Sequence, residues 1–213
     1  MNKFQIKKVD EFSIGDFASF EKLPRHELRN VTDGEMVKEK AFVAFGWSKK
    51  ALYIYFDVFD QHIWGSYEKD DDPIWQEEAV EVFLSFGSDT PREYFELQFS
   101  PKTVKYDAWV KNPTGDRGDK SFDVDVSWDF KNIDYRQKVE GDGEPLKGRW
   151  KTYIKIPSDQ IKKADFQEGD VMRGNFFRID GYPEQDSFQA LVPNYQKTPN
   201  FHTPEKFAFF KLC

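Results

Sequence analysis

Trp75 stands between an acidic loop, Asp70-Asp71-Asp72-Pro73, and a segment, Ala79-Val80-Glu81-Val82-Phe83-Leu84, that reads as a β-strand. Proline fixes its own φ and pushes the residue before it, Asp72, into an extended conformation, so the loop is stiff where the indole emerges. A flat amphipathic ring at a strand mouth, with carboxylates close by, suits a ligand that has an apolar face and a fringe of hydroxyls. That is the chemistry of a sugar ring.

Strand alternation assigns the neighbours of Trp75 to faces. Val80, Val82 and Leu84 point one way, while Ala79, Glu81 and Phe83 point the other. In the next strand Phe95, Leu97 and Phe99 form the core set, and Tyr94, Glu96 and Gln98 face away. If the two strands pair, Glu81, Glu96 and Gln98 gather on one mixed polar and aromatic face. A single Glu in a chain with 38 acidic residues more often solvates a sheet than binds a ligand; the cluster argues for binding. Further on, Asn175, Phe177 and Ile179 share one face, and Phe176 and Arg178 the other. Arg178 is expected to fork onto a carboxylate such as Glu81 or Glu96, with a ligand contact and a structural ion pair equally open. Pro199 and Pro204 bracket Asn200-Phe201-His202-Thr203, which holds an aromatic and an imidazole on a stiff loop. Either the pair faces a ligand, or Phe201 plugs the fold and His202 bonds a backbone carbonyl.

Strand-like runs recur through the chain: 41–47, 52–59, 79–86, 94–100, 104–110, 122–128, 135–139, 150–156, 171–179, 189–192 and 207–212. Only Pro157–Lys163 and Phe17–Leu23 look helical, and both are short. Gly/Pro-rich stretches at 112–119 and 141–145 read as surface loops. The pattern predicts an all-β chain, a single antiparallel sandwich of jelly-roll character over 1–213, with one or two short helices. Aromatics at 17%, with 22 Phe, suit strands better than helices.

A formal charge of −7 with no Lys/Arg-rich run argues against nucleic acid or an anionic membrane as partner, since both would repel the chain. No segment approaches the ~20 apolar residues of a membrane span. The one cysteine, Cys213, allows no internal disulfide. The first residues lack the apolar run of a secretory signal, so the chain as written is expected in the cytoplasm, or in the periplasm or medium if a leader has been removed. No cofactor is expected. Structural calcium at Asp70 to Asp72 is conceivable, but no EF-hand spacing supports it. Met36, Met172, His26, His62 and His202 are too scattered to suggest haem ligation, and three dispersed His give no zinc set.

Several of these passages together resemble the family-9 carbohydrate-binding modules and their stand-alone relatives, which share a sandwich with DOMON-type domains. The resemblance runs from about Phe12 to Leu212. It is carried by Ser13-Ile14-Gly15-Asp16-Phe17, Leu52-Tyr53-Ile54-Tyr55-Phe56-Asp57-Val58-Phe59-Asp60, the 72–83 segment, Tyr94-Phe95-Glu96-Leu97, Arg173-Gly174-Asn175-Phe176-Phe177-Arg178 and Phe201-His202-Thr203-Pro204-Glu205-Lys206-Phe207. It implies a non-catalytic protein that grips a sugar, as a chain terminus, between Trp75 and Phe201. Glu81 would accept from hydroxyls, and a separate glycan-active enzyme is a conceivable partner. The chain departs from the pattern at Glu96, where relatives place a sugar-binding Arg, and at Phe201, where they place Trp. The rivals are a glycoside hydrolase using Glu81 and Glu96 as paired carboxyls, and a decayed site with a structural or interaction role.

Overall fold

The computed structural model of the chain describes residues 2–144, 146–181 and 187–213; Pro145, at the end of the expected 141–145 loop, lies outside them. The long strands form where the apolar runs are densest: β4 (Ala41–Trp47), β5 (Ala51–Asp60), β6 (Ala79–Phe86), β7 (Glu93–Phe99), β8 (Lys105–Lys111), β11 (Lys147–Pro157) and β12 (Val171–Asp180). Shorter or more polar strands complete the sheets: β1 (Lys3–Ile6), β2 (Arg25–Glu27), β3 (Arg29–Asn30), β9 (Asp123–Asp125), β10 (Asp134–Asp142), β13 (Ser187–Ala190) and β14 (Ala208–Leu212). The two short helices are α1 (Phe17–Glu21), whose cap Asp16 accepts from the Ser19 amide, and α2 (Ser158–Lys162). The chain is thus all-β, and its two sheets pack face to face.

One sheet runs β1-β14-β12-β6-β7-β8-β9, with β13 and β3 branching from β12; the other runs β10-β11-β5-β4-β2. Pairing is antiparallel except at the first strand, where β1 lies parallel to β14. A wholly antiparallel sandwich was the expectation. The exception arises because the amino-terminal strand enters along the edge of the last strand, a pairing between ends of the chain that no local pattern reveals.

Between the sheets, Val80, Val82, Leu84, Phe95, Leu97, Phe99 and Phe176 meet Val43, Phe45, Ile54, Phe56, Trp150 and Ile154 in one core. The first sheet is buried on its other face as well. There Phe83, Tyr94, Phe177 and Ile179 are covered by Phe201 and Phe207 from the carboxy-terminal loop. This double burial explains why β6, β7 and β12 read as near-continuous apolar runs rather than clean alternations.

Arg178 lies between the sheets. β12 and β6 pair Phe177 with Glu81 and Arg178 with Val80, so Arg178 shares the inner side with Val80, and Glu81 is on the outer side. The expected fork onto Glu81 or Glu96 is therefore not made. The guanidinium instead reaches across to β5, 3.0 Å from Asp60, and lies 3.2 Å from Asp180 and 3.7 Å from Glu78. It also donates to the Glu39 and Phe59 carbonyls. Trp150 Nε1 and the His62 amide donate to the same Asp60 carboxylate. One cation cannot balance three carboxylates, and burial, the largest cause, pushes Glu78 up to about 10 and Asp180 up to about 6.

Replacing Arg178 by Met is expected to cost ~3–5 kcal/mol of unfolding free energy, because it strands buried carboxyls without their cation. Urea unfolding followed by tryptophan fluorescence would register this as a large drop in midpoint. An unchanged midpoint would refute the clamp.

Candidate functional site

The outer face of the first sheet carries a cleft of about 410 Å³. Its floor comes from β6 and β7, whose register sets Glu81 opposite Gln98 and Phe83 opposite Glu96. Glu81 and Glu96 are thus diagonal neighbours on one face, ~7–8 Å apart at the backbone. The rim comes from three loops. Trp75 with Tyr106, Asn200 with Phe201 and His202, and Arg117 with Phe122 line it, and Phe122 packs edge-on against His202.

Trp75 sits on a 3-10 turn, Ile74–Gln76, directly after Pro73. Ile74 is fully buried against Val104, Tyr106 and Ala108, and this anchor turns the next side chain outward. The indole meets Tyr106 edge-on, with centroids 4.9 Å apart, and stays 37% exposed. The carboxylates before it are turned away from the cleft: Asp70 accepts from the Lys105 amide and Asp72 from the Lys69 amide. They build the loop. A second acidic group, Glu39, Asp60 and Asp180, brings carboxylate oxygens within 4.8 Å of one another, but there the Arg178 guanidinium supplies the positive charge.

Phe201 and His202 both reach the cleft and both are held from behind. Phe201 stacks flat on Phe177, centroids 4.1 Å apart and planes 11° apart, and is 7% exposed. It is a fixed wall rather than a free-standing platform. His202 Nδ1 lies 2.9 Å from the Tyr94 hydroxyl, and Asn112 donates to the His202 carbonyl. Burial pushes the imidazole down to about 3, with the Arg117 charge adding to the effect, so it is neutral at physiological pH. Asn175 lies on the outer side of β12 but does not line the cleft. Its amide donates to the Val192 carbonyl and its oxygen accepts from the Phe176 and Val192 amides, tying β12 to the segment beyond β13. Of the residues singled out from the sequence, Trp75, Glu81, Glu96, Gln98, Phe201 and His202 converge; Arg178 and Asn175 serve the framework.

The cleft floor holds hydrogen-bonding capacity that the protein leaves unspent. Gln98 donates to Glu96 across 2.5 Å, but its own carbonyl oxygen is buried without a partner among the described residues. The Glu81 side chain, 1% exposed, makes no hydrogen bond among the described residues. Burial first, and the nearby Glu96 second, raise the Glu81 carboxyl well above its usual range. Burial raises Glu96 to about 7, opposed by the Gln98 bond and the Arg117 charge. Burial thus favours the protonated form of Glu81, which donates as well as accepts, where sequence reasoning expects only an acceptor.

Arg117 lines the cleft, and the sequence does not single it out. It sits in the 112–119 stretch, where Gly and Pro density indicates a surface loop. Only the fold brings that loop over the cleft, by tying Asn112 to His202 and setting Gly115, at φ +83°, against the Glu205 carboxylate, where a Cβ would collide. A lone basic residue among several Asp in such a loop is the one signal available.

The raised carboxyls fix a sign for pH dependence. Between the ordinary Glu value of 4.5 and about 7, the folded state keeps protons that the unfolded chain has released, so stability falls as pH rises through this window. Urea midpoints are expected to decline from pH 5 to pH 8, and the decline should flatten in Glu96→Gln. A midpoint that rises over this range, or a slope unaffected by the substitution, would contradict the upward shift of the buried pair.

Comparison with known proteins accords with this geometry. Residues 20–212 match the model of carbohydrate-binding family 9. A Bacteroides uniformis protein assigned to carbohydrate binding superposes with a TM-score of 0.75 at 15% identity, covering 100% of this chain and 99% of that one. A family-9 module from Caldicellulosiruptor kristjanssonii, solved with cellotriose, gives 0.66 at 13% identity over 99% and 93% of the two chains; the same module solved with glucose gives 0.64 at 13% identity over 100% and 96%. At these identities the likeness is one of fold. An extracellular protein of Arthroderma benhamiae is 30% identical over 142 residues, which span 65% of this chain and 60% of that protein's length. A family match that covers nearly the whole chain, on a sandwich of the same architecture, places this protein in carbohydrate-binding family 9.

Proposed function

We propose that the cleft holds a saccharide without transforming it, the ring lying against the Trp75 indole and its hydroxyls reaching the floor. The observation that carries this reading is the combination of an outward-facing Trp75 with two floor groups, Glu81 and the Gln98 carbonyl, that the protein itself leaves unbonded. Burying polar groups without partners costs free energy, and a ligand with adjacent hydroxyls offsets that cost by both donating and accepting. The cleft lies in the usual size range for small-ligand sites. Cellotriose and glucose, the ligands of the Caldicellulosiruptor module, are the first sugars to test.

Trp75 and Phe201 take unequal parts in this proposal. The indole offers a face to the ligand, whereas the Phe201 ring has one face against Phe177 and acts as a wall. Glu81 and Gln98 take the hydroxyls, and Glu96 orients Gln98. The hydrolase alternative needs one carboxyl kept protonated and its partner kept ionised. Here burial raises both, so neither is a committed carboxylate below neutral pH. Chemistry on the bound glycan then falls to a separate enzyme.

Calorimetric titration with glucose and cello-oligosaccharides is expected to show Trp75→Ala losing ~2–4 kcal/mol of binding, or roughly 30-fold to 1,000-fold in affinity. Glu81→Gln, which exchanges one neutral donor-acceptor for another, should bind better than Glu81→Ala. Equal affinities for wild type and Trp75→Ala would reject the platform. Release of reducing sugar by the wild type that is lost in Glu81→Gln would establish the hydrolase instead.

A further inference from the structure

Among the described residues, Arg117 brings to the cleft a positive charge that no carboxylate pairs within 4.0 Å. This is unexpected in a protein of net charge −7, and the reason is local. Asp116, the residue before it, accepts from the Gly118 amide at 2.8 Å, and Asp119 accepts from the Ser121 amide and hydroxyl at 2.8 and 2.6 Å. Both carboxylates are spent closing turns of their own loop. Glu205, which lies against Gly115 of the same loop, is held by Arg92 at 2.9 Å. Among the described residues the Arg117 guanidinium has no ion pair within 4.0 Å.

The cleft supplies no carboxylate within ion-pair distance of the guanidinium among the described residues. Its other titratable side chains are Glu81, Glu96, Tyr106 and His202. His202 is neutral, burial favours the protonated form of both carboxyls, and Tyr106 meets the Trp75 ring edge-on. At the rim of an apolar-walled concavity, the Arg117 guanidinium meets an entering ligand with no carboxylate already on it among the described residues. A guanidinium presents planar paired donors that match a carboxylate, and it does so without having to break an existing ion pair.

We infer that the saccharide held in this cleft carries a carboxylate, as a uronic acid does, and that Arg117 is the residue that selects it. The inference rests on the saccharide-binding reading of the cleft. It adds a chemical class to the ligand: the sugar ring lies against Trp75 and its acid group reaches the loop that bears Arg117.

The test compares matched pairs that differ only in the acid group, glucose with glucuronate and galactose with galacturonate, together with glucuronamide as the uncharged analogue. Affinities are measured by calorimetry on the full chain and on Arg117→Gln. Wild type is expected to bind one uronate roughly tenfold or more tighter than its neutral partner, a gain of the size that charge-assisted hydrogen bonds provide. The preference should vanish in Arg117→Gln, be absent for glucuronamide and shrink with added salt. Arg117 is exposed, so the variant should keep the wild-type unfolding midpoint. Equal affinity within each pair, or a preference that survives Arg117→Gln, overturns the inference while leaving saccharide binding intact. Failure of every sugar, cello-oligosaccharides included, overturns both.

Discussion

The register of β6 between β12 and β7 is the constraint on which the molecule turns. In that register Val80, Val82 and Leu84 go to the inter-sheet core, and Glu81 and Phe83 go to the outer face. Side chains alternate with a period of two, so a one-residue slip would drive Glu81 into the apolar core and lift Val80 into the cleft. The same register sends Arg178 inward with Val80, away from the ligand face. Framework and site are thus settled by one pairing decision.

The two buried ionic systems solve different problems on opposite sides of that sheet. On the inner side, Arg178 joins the sheets through its bond to Asp60, and burial moves the crowding Glu78 and Asp180 toward the protonated form, so that one cation faces less than three full charges. On the outer side, Glu81 and Glu96 have no cation in contact, and burial moves them toward the neutral form. The first arrangement ties the sheets together because the guanidinium is held by Asp60 and by the Glu39 and Phe59 carbonyls. The second leaves hydrogen-bonding capacity unspent among the described residues, which is the physical basis for proposing the cleft as the saccharide site of this member of carbohydrate-binding family 9.

Covering the outer face with loops has a structural consequence. Phe201 and Phe207 lie on Phe83, Phe177 and Tyr94, so the cleft walls belong to a hydrophobic cluster of their own. Arg173 reinforces this by donating to the Phe207 and Pro204 carbonyls, which fixes the base of the loop that bears Phe201 and His202. The walls are rigid for the same reason that the outer face is buried.

Much of this was legible in the residues. Strong apolar runs located β4, β6 and β12 to within a residue at each end, and alternation placed Glu81, Glu96 and Gln98 on one face, because both depend only on neighbours in the chain. Pro73 before Trp75 foretold a presented indole, for the same local reason. The weak strands β1, β2 and β3 were not legible, since each exists only because a distant partner edge accepts it. Nor were the inward turn of Arg178, the capture of Asn175 by the Val192 segment, the upward shift of the paired carboxyls or the arrival of Arg117. These depend on which strand lies beside which, how deeply a group is buried and which loop folds over the sheet. The sequence alone determined the faces of individual strands; the tertiary structure decided which groups spend their hydrogen bonds on the protein and which keep them for a ligand, because burial and pairing are set by residues far away in the chain.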